Sequence, residues 1–161
     1  MVASGGDHLP LDLGAALVTA HKQPWLEPDN LLADLDSLAS DLHIPAGSYE
    51  LQITCVFEED YDMLYLLGHM HEWGTSFRID HNKLDGSTDT LYELPVWDVQ
   101  YRDNPPITRW DEGFPIAAGE SFTTTCVWDN DTSAELTFPF EMCVTTGMVY
   151  PSTVPVLCEP D

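Results

Sequence analysis

The chain has 161 residues and carries 28 acidic against 5 basic side chains, a formal net charge of −23 at pH 7. This length fits one domain of ordinary size, and a hydrophobic content of 43% excludes a disordered chain. The charge argues against nucleic acid and anionic lipid as partners, because both are themselves negative. No apolar run approaches the roughly 20 residues of a membrane-spanning helix, and no signal peptide is recognised.

Residues 1–12 are expected to form a flexible lead-in and residues 13–161 a single domain. Alternating apolar and polar residues separated by Gly, Pro and Asn turn signals predict a series of strands. These are Leu13–Thr19, Tyr49–Phe57, Met63–His71, Thr75–Asp80, Leu91–Tyr101, Ser121–Trp128, Ala134–Phe138 and Met142–Val149. Leucines at helical spacing predict one short helix within Pro28–Ser40. The predicted fold is therefore all-β, an antiparallel β-sandwich or jelly roll.

The cysteines indicate a disulfide-bonded protein. Cys55, Cys126, Cys143 and Cys158 show no C-x-x-C spacing, and their even number allows several pairings. We expect two disulfides and hence an oxidising compartment. The alternative is four buried free thiols in a cytosolic protein.

His69 and His71 are the most informative residues for function. On a strand, residues i and i+2 point to the same face, so the two imidazoles are close enough to bind one metal ion. Met70 should then point to the opposite face and pack inside. The alternative is a solvated pair beside Glu72. The other histidines are assigned to the surface, and four tryptophans to the core or rim of the sandwich: His8, His21, His43 and His81; Trp73, Trp97, Trp110 and Trp128.

Several short motifs follow one another in an order that resembles a known family. They are Ile44-Pro45-Ala46-Gly47, Cys55, His69-Met70-His71 with Gly74, Trp97-Asp98-Val99-Gln100-Tyr101, Pro106-Ile107, Ala118-Gly119-Glu120, Cys126 and Glu141-Met142-Cys143. From about Gly14 to Cys158 the chain resembles the C-terminal, methionine-containing copper domain of the ascorbate-dependent copper type II monooxygenases. That family includes peptidylglycine α-hydroxylating monooxygenase and dopamine β-monooxygenase, and the chain looks like a bacterial relative.

The resemblance implies that His69, His71 and Met142 bind one copper ion, which serves O2 activation and C–H hydroxylation with ascorbate as the external reductant. Independently, two imidazoles and a thioether suit copper, above all Cu(I). The alternative for Met142 is an ordinary core methionine. The main chemical rival is a zinc site made by the two histidines with Glu72 or Glu141.

The resemblance also implies the cysteine pairing. It pairs Cys126 with Cys143, which would hold Met142 in place, and Cys55 with Cys158. The expected disulfides themselves predict an oxidising compartment, extracellular or periplasmic.

Two departures from the family pattern limit these expectations. The family's preceding domain, which binds a second copper through three histidines, has no counterpart here and is expected as a partner, so enzyme status stays open between an excised domain and a standalone relative. The peptide-hydroxylating members bind a substrate carboxylate at positions occupied here by Leu67, Val144 and Thr146, which makes a peptidylglycine substrate doubtful. The substrate, a small molecule or a peptide, is not specified. The alternative functions are a non-catalytic copper storage or delivery domain, a jelly-roll interaction module, and a zinc-stabilised or metal-free sandwich.

Overall fold

The computed structural model describes residues 16–19, 42–152 and 156–158, with side chains described for 42–152. The predicted lead-in at residues 1–12 and the predicted helix within Pro28–Ser40 lie outside the described residues. The strands are β1 (Ala16–Thr19), β2 (His43–Ile44), β3 (Gly47–Val56), β4 (Tyr61–His69), β5 (Gly74–Asn82), β6 (Thr88–Leu94), β7 (Thr108–Ile116), β8 (Ser121–Asn130), β9 (Leu136–Thr137), β10 (Val144–Tyr150) and β11 (Val156–Cys158), with a 3-10 helix at Val99–Arg102.

The strands form two main sheets that make a β-sandwich. One sheet has the order β11-β1-β10-β4-β7, the other has the order β3-β8-β5-β6, and β2 and β9 form a small third sheet. Every pair is antiparallel except β1 with β11. The described residues contain no α-helix, and within them no helix has the length and apolar character to cross a bilayer. The predicted all-β antiparallel sandwich is confirmed.

The core lies between the two sheets. Strand β4 contributes the fully buried Met63 and Leu66, and strand β5 contributes Phe77 and Ile79 from the opposite sheet. A Cβ on Gly68 would lie 2.2 Å from the Phe77 ring. The absence of a side chain at Gly68 therefore allows β4 to pack closely against Phe77 of β5. Burial of each large apolar side chain contributes about 1.5–3 kcal/mol.

Covalent and polar contacts also join the sheets between the middle of β8 and the beginning of β10. A disulfide links Cys126 to Cys143, as the family resemblance implied, and the hydroxyls of Thr124 and Thr145 lie 2.6 Å apart. Cys55 is also disulfide-bonded, but the side chain of Cys158 is outside the part of the chain that the structure describes. The Cys55–Cys158 pairing therefore stays a prediction.

Several strand predictions need correction. The predicted strand Met63–His71 ends at His69 in β4, and Met142–Val149 begins only at Val144 in β10, so His71 and Met142 lie just outside the strands. Of Ala134–Phe138 only Leu136–Thr137 is a strand.

The predicted strand Leu91–Tyr101 ends at Leu94 in β6, and Val99–Arg102 is a 3-10 helix. Pro95 cannot donate to a strand ladder, and the Asp98 side chain accepts the Gln100 N–H to cap the helix.

Strand β7 was not predicted because Gly113 and Pro115 interrupt its pattern. Pro115 is tolerated because β7 is an edge strand, where a missing N–H donor costs little, and Gly113 adopts a positive φ of 79°, which favours glycine.

The surface assignment of His81 is wrong. Its side chain is buried, and its Nε2 lies 2.8 Å from Oε2 of Glu120. Alternation along β5 places His81 on the same inward face as Phe77 and Ile79, and a carboxylate partner compensates for its burial. Of the other histidines, His43 is exposed, and His8 and His21 lie outside the described residues. The tryptophans lie in the core or at its edge, as predicted: Trp97 and Trp128 are buried, and Trp73 and Trp110 are half-buried.

Candidate metal centre

The structure brings the rings of His69 and His71 together at the end of β4. His69 is the last residue of that strand, and His71 follows two positions later on the way to β5. Their Nε2 atoms lie 3.0 Å apart, and the two ring planes are nearly perpendicular. Two nitrogen ligands of one ion, each about 2.0–2.1 Å from it, have a separation of this size. The predicted pairing of the two imidazoles is therefore present in the fold.

Both rings hydrogen-bond the backbone, and for His71 the nitrogen that does so is Nδ1. Nδ1 of His71 lies 3.1 Å from the carbonyl oxygen of Phe140. A carbonyl only accepts, so Nδ1 carries the proton, and neutral His71 presents the Nε2 lone pair toward His69. The His69 ring hydrogen-bonds the backbone of Arg102. Hydrogen bonds of this kind fix the tautomer and the orientation of metal-binding histidines.

The electrostatic environment keeps His69 neutral at neutral pH. Burial, followed by the neighbouring His71, lowers the pKa of His69 below its ordinary value of 6.5, and the hydrogen bond to Arg102 opposes this only in part. Neutral imidazole is the form that binds a metal ion.

Met142 lies in the chain segment beside His71. It precedes β10 by two residues, and Val144, the first residue of that strand, is the cross-strand partner of His69. The residue before Met142 accepts the backbone N–H of His71 through its carboxylate, so the segment that carries Met142 lies against the second histidine. The structure thus brings the methionine-bearing segment to the histidine pair and leaves the Met142 side chain half-buried.

Glu141 connects the two candidate ligand segments. Its side chain is fully buried, and Oε1 accepts the backbone N–H groups of His71 and Met142, the latter at 3.0 Å. Oε2 accepts the backbone N–H of Trp73 at 2.9 Å. Burial raises the pKa of Glu141 above its ordinary value, and the three N–H donors oppose that rise. Sequence reasoning considered Glu141 only as a zinc ligand and missed this role.

The acidic ligands of the rival zinc site are engaged elsewhere. Glu72 pairs with Arg102, and the Glu141 oxygens accept backbone donors. Within the described residues, no group of three or more His, Cys, Asp or Glu side chains is arranged to hold a metal ion. A donor set of two histidines and one methionine contains only two side chains of these types, so it is not a group of that kind.

The turn between β4 and β5 is held from the inside of the sandwich. Met70 is fully buried on the opposite face, as predicted. A Cβ on Gly74 would lie 2.9 Å from Cε of Met70 and 3.0 Å from Cδ1 of Trp97, so only glycine fits there without a shift of its neighbours. Trp97 donates its Nε1–H to the carbonyl oxygen of His71 at 2.9 Å. The backbone of the second histidine is thus anchored by an indole.

The three residues that the family resemblance aligned with a carboxylate-binding set lie on β4 and at the start of β10, close to the histidine pair. Leu67 is the cross-strand partner of Thr146, and Val144 is the partner of His69. These three side chains offer methyl groups and one hydroxyl, and none carries a charge that would bind a substrate carboxylate.

No protein-family model matches the chain, and no curated protein matches it.

Proposed function

We propose that the chain is a copper-binding domain of the ascorbate-dependent copper monooxygenase type, which binds one copper ion through His69, His71 and Met142. The observation that carries the proposal is the 3.0 Å approach of the two Nε2 atoms while Nδ1 of His71 faces a backbone carbonyl. Because Nδ1 of His71 faces a carbonyl, its Nε2 lone pair points toward the second ring, and a cation shared by the two Nε2 atoms would be stabilised there.

The chemistry of the donors favours copper. Two neutral imidazoles and a thioether form a soft set without negative charge, which suits Cu(I), whereas Mg²⁺ and Ca²⁺ prefer oxygen ligands. When bound, copper supplies O2 activation for hydroxylation of a C–H bond, with ascorbate as the reductant. The residues of this chain orient the two rings, and Glu141 fixes the backbone on both sides of the site.

Hydroxylation also needs a second source of electrons, and we propose that a partner domain provides it. In the family a preceding domain holds another copper through three histidines. Here His43 contacts Glu135 at 2.9 Å, and His81 contacts Glu120 at 2.8 Å. We therefore propose that this chain contributes the methionine-containing site. The Cys126–Cys143 disulfide supports an oxidising compartment, and we propose an extracellular or periplasmic location.

The test is X-ray absorption of the Cu(I)-loaded protein. The wild-type spectrum should contain nitrogen scatterers and one sulfur scatterer, and Met142→Leu should remove the sulfur while the nitrogens remain. Met148→Leu is the matched control, because Met148 lies further along β10 opposite Tyr65. His69→Ala and His71→Ala should each weaken Cu(I) binding by more than the roughly 10–100-fold typical of outer residues. A sulfur signal that survives Met142→Leu would contradict the ligand assignment.

A second experiment separates an enzyme from a storage or delivery domain. Ascorbate-dependent O2 consumption is measured with this chain alone and after addition of a three-histidine copper domain of the family. Product formed by either sample supports the monooxygenase assignment. Copper binding without O2 consumption in both samples would instead support the non-catalytic alternative.

A further inference from the structure

A short segment after β6 crosses the turn that carries the histidines. We call residues 97–103 the brace. The Trp97 N–H donates to the carbonyl oxygen of Thr75 at 2.8 Å, and its indole N–H donates to the carbonyl oxygen of His71 at 2.9 Å. The 3-10 helix Val99–Arg102 follows, capped by the Asp98 side chain. The beginning of the brace is therefore fixed on the same turn as His71.

Arg102 joins the other end of the brace to this turn. Its guanidinium pairs with Glu72, the residue directly after His71. It also binds Asp103 through two nitrogens, at 3.0 and 3.2 Å, and the Arg102 backbone hydrogen-bonds the His69 ring. The chain has 5 basic side chains for 28 acidic ones, so most of its carboxylates have no cationic partner. Glu72 and Asp103, beside the histidine pair, share one.

We propose that Arg102 is a positioning residue for the histidine pair. By binding Glu72 and Asp103 together, it keeps the brace against the turn that carries His71, and so holds the two rings in the arrangement that brings their Nε2 atoms 3.0 Å apart. The inference rests on the proposed copper-binding function of the pair.

A guanidinium suits this role better than an ammonium group. Its planar fork binds carboxylates in a defined geometry, whereas lysine acts as a flexible point charge. The side chains of Arg102 and Glu72 are 37% and 45% exposed, and exposed ion pairs contribute little to global stability. The effect of Arg102 on the site is therefore separable from its effect on folding.

The change in copper affinity on substitution of Arg102 distinguishes a positioning role from a purely electrostatic one, because the two roles predict changes of opposite sign. Removal of a positive charge close to a cation site strengthens cation binding if charge alone matters. Loss of an orienting contact weakens metal binding, typically by 10–100-fold.

The experiment measures the Cu(I) affinity of Arg102→Gln by competition with a chromophoric Cu(I) chelator. We expect about tenfold weaker binding, with an unchanged thermal midpoint of the metal-free protein. Arg102→Lys keeps the charge without the fork, so its affinity should lie between wild type and Arg102→Gln. The control is Arg109→Gln in β7, whose guanidinium lies 5.8 Å from the Tyr65 ring centroid; its Cu(I) affinity should not decrease.

A second readout needs no metal. Nitrogen-15 NMR of the metal-free protein should show one dominant His69 tautomer in wild type and a mixture in Arg102→Gln. A purely structural role of Arg102 would leave this ratio unchanged.

The outcomes separate this inference from the proposed function. If wild type binds Cu(I) and Arg102→Gln binds it equally or more tightly, the positioning role is wrong and the copper site stands. If wild type fails to bind Cu(I), or if its binding survives His69→Ala, the proposed function is wrong. In that case the NMR experiment still tests Arg102: a His69 tautomer ratio that is the same in wild type and Arg102→Gln overturns the positioning role. Should Arg102→Gln not fold, Arg102→Lys decides: affinity equal to wild type overturns the role.

Discussion

At the scale of single residues, Glu141 shows how a buried charge organises the candidate site. Its two oxygens accept the backbone N–H groups of His71 and Trp73 on one segment and of Met142 on the other. His71 and Glu141 are 70 residues apart in the sequence. A carboxylate can do this because it has only acceptors. Glu141 therefore sets the spacing between the segments that carry His71 and Met142.

Glu141→Gln tests this role through stability. The amide has one acceptor oxygen and an NH2 group, so at least one backbone N–H would face another donor. We expect the free energy of unfolding to fall by about 1–3 kcal/mol, measured by urea denaturation of the metal-free protein at neutral pH. Glu93→Gln, on the exposed surface of β6, is the control and should change the value by less than about 0.5 kcal/mol. A Glu141→Gln protein as stable as that control would exclude the role.

At the scale of elements, the pair His81 and Glu120 joins β5 to the turn between β7 and β8. Oε2 of Glu120 accepts the Ala117 N–H at 2.9 Å and lies 2.8 Å from Nε2 of His81. The hydrogen bond from Ala117, assisted by that from His81, holds the pKa of Glu120 below its ordinary value of 4.5, although burial opposes the shift. The charged form of Glu120 is thus favoured in the folded protein.

The pH dependence of Glu120→Gln follows from this direction. A depressed pKa in the folded state means that the group stabilises the fold above about pH 4.5, and that this contribution is lost as pH falls through the folded pKa. We expect Glu120→Gln to be less stable than wild type by about 1–3 kcal/mol at pH 7, with the difference shrinking in acid. Urea denaturation at a series of pH values measures this difference in the free energy of unfolding. The control is Glu112→Gln, at an exposed position of β7. A difference that stays constant from neutral to acidic pH would contradict the linkage.

At the scale of the whole molecule, the net charge of −23 opposes compaction. Carboxylates distributed over the chain repel one another more strongly in the folded state than in the expanded one, so self-repulsion lowers stability. The fold compensates with a core shared by both sheets and a disulfide between them.

Salt should therefore stabilise this protein at neutral pH. Raising NaCl from about 0.01 to about 1 M shortens the Debye length from roughly 30 to roughly 3 Å and screens the repulsion. We expect the thermal unfolding midpoint to rise along this series at pH 7. Near the sequence pI of about 4.1 the net charge approaches zero, and the same series should have little effect. A midpoint that falls with salt at pH 7 would show that repulsion is not the dominant electrostatic effect.

The sequence alone was sufficient for features that depend on near neighbours. Period-two alternation identified most of the strands and placed Met70 inside, opposite the shared face of His69 and His71, because strand geometry relates residues i and i+2 directly. Gly47 and Gly119, which belong to two of the short motifs named from the sequence, have left-handed backbone, since glycine adopts positive φ without a steric cost.

The tertiary structure alone decided what depends on residues far apart in the chain. The burial of Glu141 and the contact of Phe140 with His71 arise where the segment before β10 meets the turn between β4 and β5. The pairing of His81 with Glu120 likewise joins β5 to the turn between β7 and β8. Local pattern does not encode such contacts, because a polar residue is buried only where the fold supplies its hydrogen-bond partners. For the same reason sequence could nominate His69, His71 and Met142 as ligands, whereas the backbone groups that orient the rings became apparent only in three dimensions.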